Sequence, residues 1–233
     1  MENVFSPNQG KNLTIDVAGV SYERHPIKTH VITKDDSIFE IVSRYAQPYL
    51  KKTDTLFMSE RSVAITQGRA IPMKNIHPGK LAIFLTKFVH KSKYGIGLGI
   101  PETMQLAIQE VGAPRILCAA AVAAITKPFG IKGMFYHVAG RQAAAIDGPC
   151  SYTLPPYNEY ATLAPAKPND VAKEISQKLG CDVVIIDAND LGVDVLGRSS
   201  KSVNVEWARA VFKDNPLGQT NEQTPLCIVR KHE

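Results

Sequence analysis

Four consecutive aliphatic residues at positions 183–186, Val-Val-Ile-Ile, constrain the fold of this chain more than any other feature of its sequence. An apolar repeat with a spacing of four residues precedes them over 171–179 and stops at Gly180, and Asp187 follows. Because a short apolar run between turn-forming residues indicates an interior strand, the order of helix, tight turn and strand predicts an α/β arrangement. Ligands of such sheets bind just beyond the carboxyl ends of the strands, so the polar residues after position 186 are candidates for a binding site.

Periodicity and turn residues predict most of the other elements. Helices are expected over 38–45, with Asp35 or Asp36 as the cap, over 101–111, and over the alanine-rich segment 114–126. Since this last segment has no polar face between Leu117 and Ile125, we expect it to be buried nearly all round. Strands are expected at 55–59, 62–66, 81–85 and 226–230, with one or two more over 133–148. The proline-rich segment 152–168 predicts an ordered loop or a crossing between domains.

Composition bounds the class of protein. The chain has 233 residues, and we expect one folded unit over 1–233 with a sub-domain at about 87–150. Its net charge of +5 is spread along the chain, so we expect an anionic small molecule as partner and no nucleic acid. The start of the chain lacks the order of a signal peptide, and the uncharged apolar run 116–125 is too short to cross a bilayer. We therefore expect a cytoplasmic protein without a membrane partner.

The four cysteines lie far apart in the sequence, and we expect them to be reduced, buried thiols.

Two aspartates each follow a short apolar run that ends in isoleucine, Asp147 after 143–146 and Asp187 after 183–186. If the two runs are neighbouring strands, the carboxylates meet at one end of a sheet, and hard oxygen ligands of this kind prefer Mg²⁺ or Mn²⁺. Asn189 and Asp190 would add oxygen donors to that site. Aspartate is also favoured as a cap in turns, so spacing alone leaves both interpretations open.

A glycine-rich stretch and a basic cluster form a second candidate site. Gly95, Gly97 and Gly99 match neither the dinucleotide fingerprint nor a P-loop, although backbone amides ahead of a helix could hold an anion there. The alternative is a flexible hinge. The basic residues just before them are Lys87, His90, Lys91 and Lys93. These side chains suit a phosphate or a polycarboxylate, or form a solvated surface.

Several segments together resemble the coenzyme F-420 gamma-glutamyl ligase family. The matching pieces, in the order of the family, are TKDDSIFEIV near the start, TQGRAI at 66–71, AIDG at 145–148, TLPP at 153–156, VVIIDAND at 183–190, and LGQTNEQTP with IVR at the end. The resemblance implies an α+β fold with mixed sheets and helices and an intertwined homodimer. It also implies the GTP-dependent addition of L-glutamate to the precursor F-420-0, with Mn²⁺ or Mg²⁺.

The resemblance also implies roles for individual residues. The metal ligands would be Asp147, Asp187 and Gln219. The nucleotide would be bound by Asp35, Asp36, Gly68 and Asn189. Arg69 and Lys91 would act in catalysis by steering anionic groups. In such a mechanism the acceptor carboxylate attacks the γ-phosphate of GTP, and the amine of glutamate then displaces phosphate from the acyl phosphate.

The sequence departs from the family at three motifs, of which the first is the family's Asn-Ala-Gly before the first metal aspartate, replaced here by three alanines at 143–145. Where the family has Thr-Asp-Thr-x-Gly-Arg, this chain has IDANDL at 186–191 and lacks the arginine. Where the family has Ser-Lys-x-Glu-Gly-Arg, this chain keeps only the final Gly68 and Arg69. These losses motivate two alternatives to a ligase, a noncatalytic paralogue that binds a nucleotide or anion, and a metal-dependent phosphohydrolase.

Overall fold

The chain divides into two compact units in a computed structural model that describes residues 5–89, 97–189 and 192–232. Unit 1 comprises residues 1–67 and 165–233, and unit 2 comprises residues 68–164. The sub-domain expected at about 87–150 lies entirely within the range of unit 2. The expectation of one ligase-like unit over the whole chain stays a prediction.

Strands and helices alternate irregularly along the chain. The strands are β1 (Thr14–Val17), β2 (Val20–Ile27), β3 (Thr55–Ser59), β4 (Ala70–Pro72), β5 (Tyr160–Thr162), β6 (Asp182–Asn189), β7 (Gly192–Arg198) and β8 (Leu226–Lys231). The helices are α1 (Ile38–Tyr45), α2 (Glu60–Thr66), α3 (Lys80–Thr86), α4 (Pro101–Val111), α5 (Ala113–Thr126), α6 (Met134–Ala139), α7 (Arg141–Ala144), α8 (Pro168–Leu179) and α9 (Val205–Val211). This mixture confirms the expected α+β class.

Unit 1 is built around a mixed sheet with the strand order β1-β2-β8-β3-β6-β7. The pairing of β3 with β6 is parallel, and the other neighbouring pairs are antiparallel. The aliphatic run 183–186 is fully buried in β6, as the sequence predicts. On one face of the sheet, the rings of Phe57 and Phe212 stack with their centroids 4.3 Å apart and form part of a core that includes Val184 and Ile186. Strand β6 therefore lies in the interior of the sheet and ends in polar residues.

Two ion pairs, each with one fully buried partner, connect segments of unit 1. Arg230 on β8 donates from Nε and Nη2 to the carboxylate of Asp54, at 2.8 and 2.7 Å, and the Asp54 side chain is fully buried. Arg24 on β2 is also buried and pairs with Asp214. Burial alone would raise the pKa of Asp214, but the hydrogen bond and charge of Arg24 outweigh it and leave this pKa lowered. The buried charges of Arg24 and Asp54 are therefore each paired within unit 1.

Unit 2 is mainly helical, with a small antiparallel sheet of β4 and β5. Its core contains buried side chains from several helices, such as Leu85, Met104 and Ile116, and from the segments between them, such as Leu98 and Ile146. Gly112 has a φ of 86° and separates α4 from α5, which confirms the helix boundary expected there. Among the described residues, no single helix is long and apolar enough to span a membrane. Two consecutive helical segments, Pro101–Val111 and Ala113–Phe129, reach the length and apolar composition of a membrane span only when they are taken together. They are bent by 117° at the break between them.

Three segments expected as strands are helices. Residues 62–66 belong to α2 and residues 81–85 to α3. Short apolar runs fit either element, and α3 buries Ala82 and Leu85, which have the spacing of a helix. Within 133–148, residues 134–139 form α6 and residues 141–144 form α7, because Gly133 and Gly140 have positive φ values that divide the segment and each precedes a short helix.

The alanine-rich helix α5 forms where it is expected, but it is not buried nearly all round. Only Ile116 and Ala119 are buried, whereas Leu117 is 47% exposed and Ile125 is 66% exposed. The expectation assumed that an apolar surface must be covered by the rest of the chain. Here one face of an apolar helix remains at the surface of unit 2.

The cysteines are free thiols. Cys181 and Cys227 are buried, and burial raises the pKa of Cys181 to about 11. Cys118, on α5, is exposed, and Cys150 is partly buried. The expectation of buried thiols is therefore correct for two of the four.

Candidate metal and nucleotide site

The carboxyl end of β6 carries two polar side chains on one face of the sheet. Along this strand Ile186 and Ala188 pack against the core on the α9 side, so Asp187 and Asn189 belong to the opposite face. The Asn189 Nδ2 donates to both carboxylate oxygens of Asp187, at 3.3 and 3.4 Å. Both side chains are partly buried. A carboxylate and a side-chain amide therefore lie side by side, with the amide nitrogen toward the carboxylate, and the oxygens of both groups are ligand types that Mg²⁺ and Mn²⁺ prefer.

A second acidic residue, Asp194, lies opposite Asp187 across the β6–β7 hairpin. Asp187 and Asp194 are directly opposite in the antiparallel register, which places the two side chains on the same face. Arg209 on α9 contacts Asp194, with an Nη2 to Oδ1 distance of 3.3 Å, and also pairs with Glu206 at 3.0 Å. Arg209 therefore offsets the charge of Asp194.

Asp194 was not among the residues assigned from the sequence. A signal for it exists, because Asp187 and Asp194 are equally distant from the centre of the two-residue connection at 190–191. A tight hairpin between two such residues would place them opposite each other. The sequence interpretation treats this segment as an acidic loop after a strand and therefore misses the hairpin.

Gln219 lies in the loop between α9 and β8, and its side chain has an unsatisfied polar atom. Its Nε2 is buried and has no hydrogen-bond partner among the described residues. The backbone there is held by Gly218, which has a φ of 78° and approaches Glu222 so closely that a Cβ atom would lie 2.4 Å from Glu222 Cδ. The same Glu222 accepts a hydrogen bond from the Thr220 N–H at 2.7 Å. Because the two ends of a glutamine amide are nearly equivalent in shape, this group can present its oxygen to a cation instead.

Asp147 lies in unit 2, and its surroundings differ from those that the sequence predicts. It is exposed, and its backbone pairs with Thr162 through two hydrogen bonds of 2.9 Å. The strands beside β6 are β3 and β7, so the expectation that 143–147 and β6 are neighbouring strands is wrong. The reason is that 141–144 form the helix α7. Metal ligation by Asp147 stays a prediction.

Gly68 and Arg69 lie at the start of unit 2. Gly68 is exposed with a φ of 69°, a conformation that favours glycine. The Arg69 guanidinium donates from Nε to the Ala164 carbonyl and from Nη2 to Glu110, both at 2.5 Å, and Arg69 and Glu110 are mostly buried. This arrangement directs Arg69 to an internal ion pair, while its assigned role in catalysis stays a prediction. Lys91, the other residue assigned to catalysis, lies outside the described residues, as does Asp190.

The segment before α1 contains the two aspartates assigned to nucleotide binding. The expectation that either caps the helix is wrong, because the N-cap residue is Ser37 and it makes no side-chain cap bond. Asp36 instead accepts the Thr33 N–H and hydroxyl, at 2.7 and 2.9 Å, and contacts His30. The backbone bond from Thr33 is the largest of the effects that lower the pKa of Asp36. Asp35 is exposed and pairs with Lys34 at 2.7 Å.

Within residues 5–89, 97–189 and 192–232, no three histidine, cysteine, aspartate or glutamate side chains are grouped so that they could hold a metal ion. In these residues, a metal site would therefore need donors of other types beside histidine, cysteine, aspartate and glutamate. The donors at the end of β6 combine a carboxylate with an amide. The fold and these donors together indicate an α+β protein whose site suits a hard cation and the anionic groups that such a cation neutralises.

Comparison with known families identifies the class more closely. The model of the family described as F420-0:Gamma-glutamyl ligase matches residues 26–213, which is most of the chain. The chain therefore belongs to this ligase family, as the resemblance in the sequence predicts. The matched region includes β6 with Asp187 and Asn189 and all of unit 2, but ends before Gln219. No curated protein sequence matches the chain.

Proposed function

We propose that this protein is a GTP- and metal-dependent ligase that forms an amide bond between the carboxylate of an F-420-0-type acceptor and L-glutamate. The observation that carries the proposal is the contact between Asp187 and Asn189 at the carboxyl end of β6. It supports the proposal because the family is a ligase family and because phosphate transfer requires groups that compensate the charge of the nucleotide. The cytoplasmic homodimer implied by the resemblance belongs to the same proposal.

The donors present fit a divalent ion. Asp187 supplies a carboxylate, Asn189 supplies an amide oxygen, and the buried amide of Gln219 has a group that requires a partner. Such oxygen donors suit Mg²⁺ or Mn²⁺ and not a soft metal. When bound, the ion would neutralise charge on the phosphates of the nucleotide. We assign Asp147 as a further ligand on the resemblance alone.

The reaction is balanced in two steps. An oxygen of the acceptor carboxylate forms a bond to the γ-phosphorus of GTP, and the bond between that phosphorus and its bridging oxygen breaks, releasing GDP. The amine of glutamate then forms a bond to the carbonyl carbon of the acyl phosphate. Orthophosphate leaves with the former carboxylate oxygen, and the nitrogen loses a proton. Because the chemistry is carried by the substrates, the contribution of the protein is positioning and electrostatic.

Arg69 has a positioning role in this proposal. Its charge is paired with Glu110, and its Nε holds the carbonyl of Ala164. Ala164 is the last residue of unit 2, and Gly68 is the first. Arg69 therefore joins the two ends of unit 2, and it would influence turnover by holding that backbone in place.

The experiment combines purified protein with F-420-0, L-glutamate, GTP and Mn²⁺ and measures the product by mass spectrometry and orthophosphate by a colorimetric assay. We expect a product heavier by one glutamyl group and one orthophosphate for each product molecule. Orthophosphate release that does not depend on glutamate would identify a phosphohydrolase. Nucleotide binding without turnover would identify a noncatalytic paralogue. Either result would contradict the ligase proposal.

A further inference from the structure

The loop of unit 1 that carries Gln219 begins after α9 and leads into β8. Its residues, 212–225, contain no helix or strand, and we call them the Gln219 loop. Loops of this length are uncommon in compact domains and are usually functional. At the end of the loop the Ser59 N–H of β3 donates to the Pro225 carbonyl at 2.8 Å, and Ser59 pairs with the residue that precedes Asp187 in β6. One end of the Gln219 loop therefore lies at the carboxyl end of β3 and β6, where Asp187 lies.

Within the Gln219 loop the backbone is fixed better than the Gln219 amide. The amide nitrogen is buried and has no hydrogen-bond partner in the part of the chain that the structure describes. Asn215, which is buried, donates from Nδ2 to the Gly218 carbonyl at 3.0 Å. The Thr224 hydroxyl donates to the Leu217 carbonyl at 2.7 Å and so joins the two arms of the loop. The position of the Gln219 amide therefore depends on how firmly these two arms are held.

The Asn8 side chain connects both arms of the loop from outside it. Asn8 lies in the segment before β1 and donates from Nδ2 to the Pro216 carbonyl at 2.9 Å and to the Thr224 hydroxyl at 2.8 Å. Pro216 precedes Gln219 and Thr224 follows it, so the contacts of this one amide group enclose Gln219. Pro216 and Thr224 are buried, and a buried acceptor that loses its donor incurs a desolvation cost. Removal of the Asn8 amide should therefore loosen the loop on both sides of Gln219.

The segment that carries Asn8 is itself fixed to unit 1. Lys11 donates from Nζ to the Asp214 carbonyl at 2.6 Å, which ties the segment to the start of the Gln219 loop. The buried Arg24 of β2 donates from Nη2 to the Asn12 carbonyl at 2.7 Å, which ties the segment to the sheet. Asn8 therefore extends from a held backbone, and its contacts can determine where the loop lies.

We propose that Asn8 is a positioning residue of the metal site, which closes the Gln219 loop and so holds the Gln219 amide where it and Asp187 can bind the same divalent ion. The inference rests on the proposed function, because it takes Gln219 as a ligand of that ion. Asn8 acts through Gln219 and contacts neither the ion nor the substrates. Both Asn8 and Gln219 lie outside residues 26–213, the region that matches the ligase family. The proposal therefore completes the site with a residue that the family match does not cover.

The test measures the Kd of Mn²⁺ for the full chain from the electron paramagnetic resonance signal of the free ion, which requires no turnover. Asn8→Ala should raise this Kd roughly tenfold, the lower end of the range for residues that orient metal ligands. Asn8→Asp keeps the shape of the side chain but replaces the donating nitrogen with an acceptor, so it should have the same effect. The matched control is Asn12→Ala. It changes the same residue type in the same segment, at an exposed position, and should leave the Kd unchanged.

A double-variant cycle separates the positioning of Gln219 from a general loss of structure. Gln219→Ala should also raise the Kd of Mn²⁺ roughly tenfold. In that background Asn8→Ala should add no further rise, because a residue that acts through another has no independent effect once the other is removed. Far-ultraviolet circular dichroism establishes that each variant is folded.

Two kinds of failure are distinguishable. If the wild-type chain binds Mn²⁺ but Asn8→Ala or Gln219→Ala leaves the Kd unchanged, the inference is overturned and the proposed metal dependence stands. The same holds if the two effects multiply in the double variant. If the wild-type chain binds no Mn²⁺, the metal site of the proposed function is overturned, and the role of Asn8 with it.

Discussion

Units 1 and 2 differ in their net charge and in how much of their apolar surface is exposed. Unit 1 is almost neutral, and its fully buried Asp54 carboxylate is paired with Arg230. Unit 2 contains ten lysines and arginines and four aspartates and glutamates, a net charge of +6, and leaves large apolar side chains such as Phe129 exposed. The difference indicates that unit 1 is organised around its sheet and the polar residues at its edge. Unit 2 instead exposes large apolar side chains on α5 and in the turn after it.

The largest expected effect concerns the polar residues of unit 1. Asp187→Asn removes the charge proposed to hold a divalent ion, and turnover should fall roughly 100- to 1000-fold. Asp182→Asn, at the other end of β6, is exposed and serves as the control, which should keep wild-type turnover. Both are measured as glutamate-dependent orthophosphate release. If Asp187→Asn is as active as the wild type, Asp187 is not part of the catalytic site.

A second comparison contrasts a buried and an exposed phenylalanine. Phe57→Ala, in the core of unit 1, should lower the free energy of unfolding by about 3–5 kcal/mol because it removes a ring stacked on Phe212. Phe84→Ala, which is 55% exposed on unit 2, should change it by less than about 0.5 kcal/mol. Urea unfolding followed by circular dichroism measures both. A large cost for Phe84→Ala would mean that this side chain of unit 2 is part of a core.

A third comparison concerns the internal ion pair of each unit. Arg230→Met leaves the fully buried carboxylate of Asp54 without its partner, and we expect a loss of about 3 kcal/mol of unfolding free energy. Arg69→Met leaves Glu110, whose side chain is 17% exposed, so we expect a smaller loss of about 1–2 kcal/mol. Arg69→Met should also reduce kcat more than it changes the KM for GTP, if the role of Arg69 is to position the backbone.

Of these changes, lowering the pH should have the smallest effect on the free energy of unfolding, and this effect should arise in unit 1. Burial lowers the pKa of His25 below its ordinary value of 6.5, so the unfolded chain binds a proton first. The stability contributed by neutral His25 is complete above pH 6.5 and decreases as the pH falls below it. The lowered pKa values of Glu23 and Asp214 cause a further loss at a more acidic pH, below their ordinary values of 4.5 and 3.8.

The single tryptophan reports this change, because Trp207 packs against Phe57 in unit 1 at a ring distance of 5.8 Å. The urea midpoint from Trp207 fluorescence should decrease from pH 7 to pH 5, and His25→Gln should reduce that decrease. A midpoint that rises on acidification would contradict the assigned direction of the His25 shift.

The sequence predicts unit 1 better than unit 2, and the reason is physical. Residues 183–186 are all β-branched and lie between Gly180 and Asp187, which favours a strand over a helix, and α8 before them has a clear period. In α3, five apolar residues in a row give no period until tertiary packing selects Ala82 and Leu85 for burial. Intrinsic preference is therefore decisive in β6 and is overridden in α3.

The site is predicted only in part for a similar reason. Asp187 and Asn189 follow from the end of a strand, but Asp194 depends on the register of a hairpin, which a local pattern does not specify. The partner of Arg69 is Glu110, which is 41 residues away in the chain, and no spacing rule connects them. The exposure of α5 likewise depends on what the rest of the chain leaves uncovered.

The most direct test of the central claim is the thermal stabilisation of the wild-type chain and of Asp187→Ala by GTP, with and without Mn²⁺. A ligand at about 100 times its Kd stabilises a folded protein by about 2.7 kcal/mol, which gives a measurable rise in Tm. We predict that GTP with Mn²⁺ raises the Tm of the wild-type chain and that the rise is lost without Mn²⁺ and in Asp187→Ala. An equal rise without the metal, or an undiminished rise in Asp187→Ala, would contradict the assignment of Asp187 as a metal ligand.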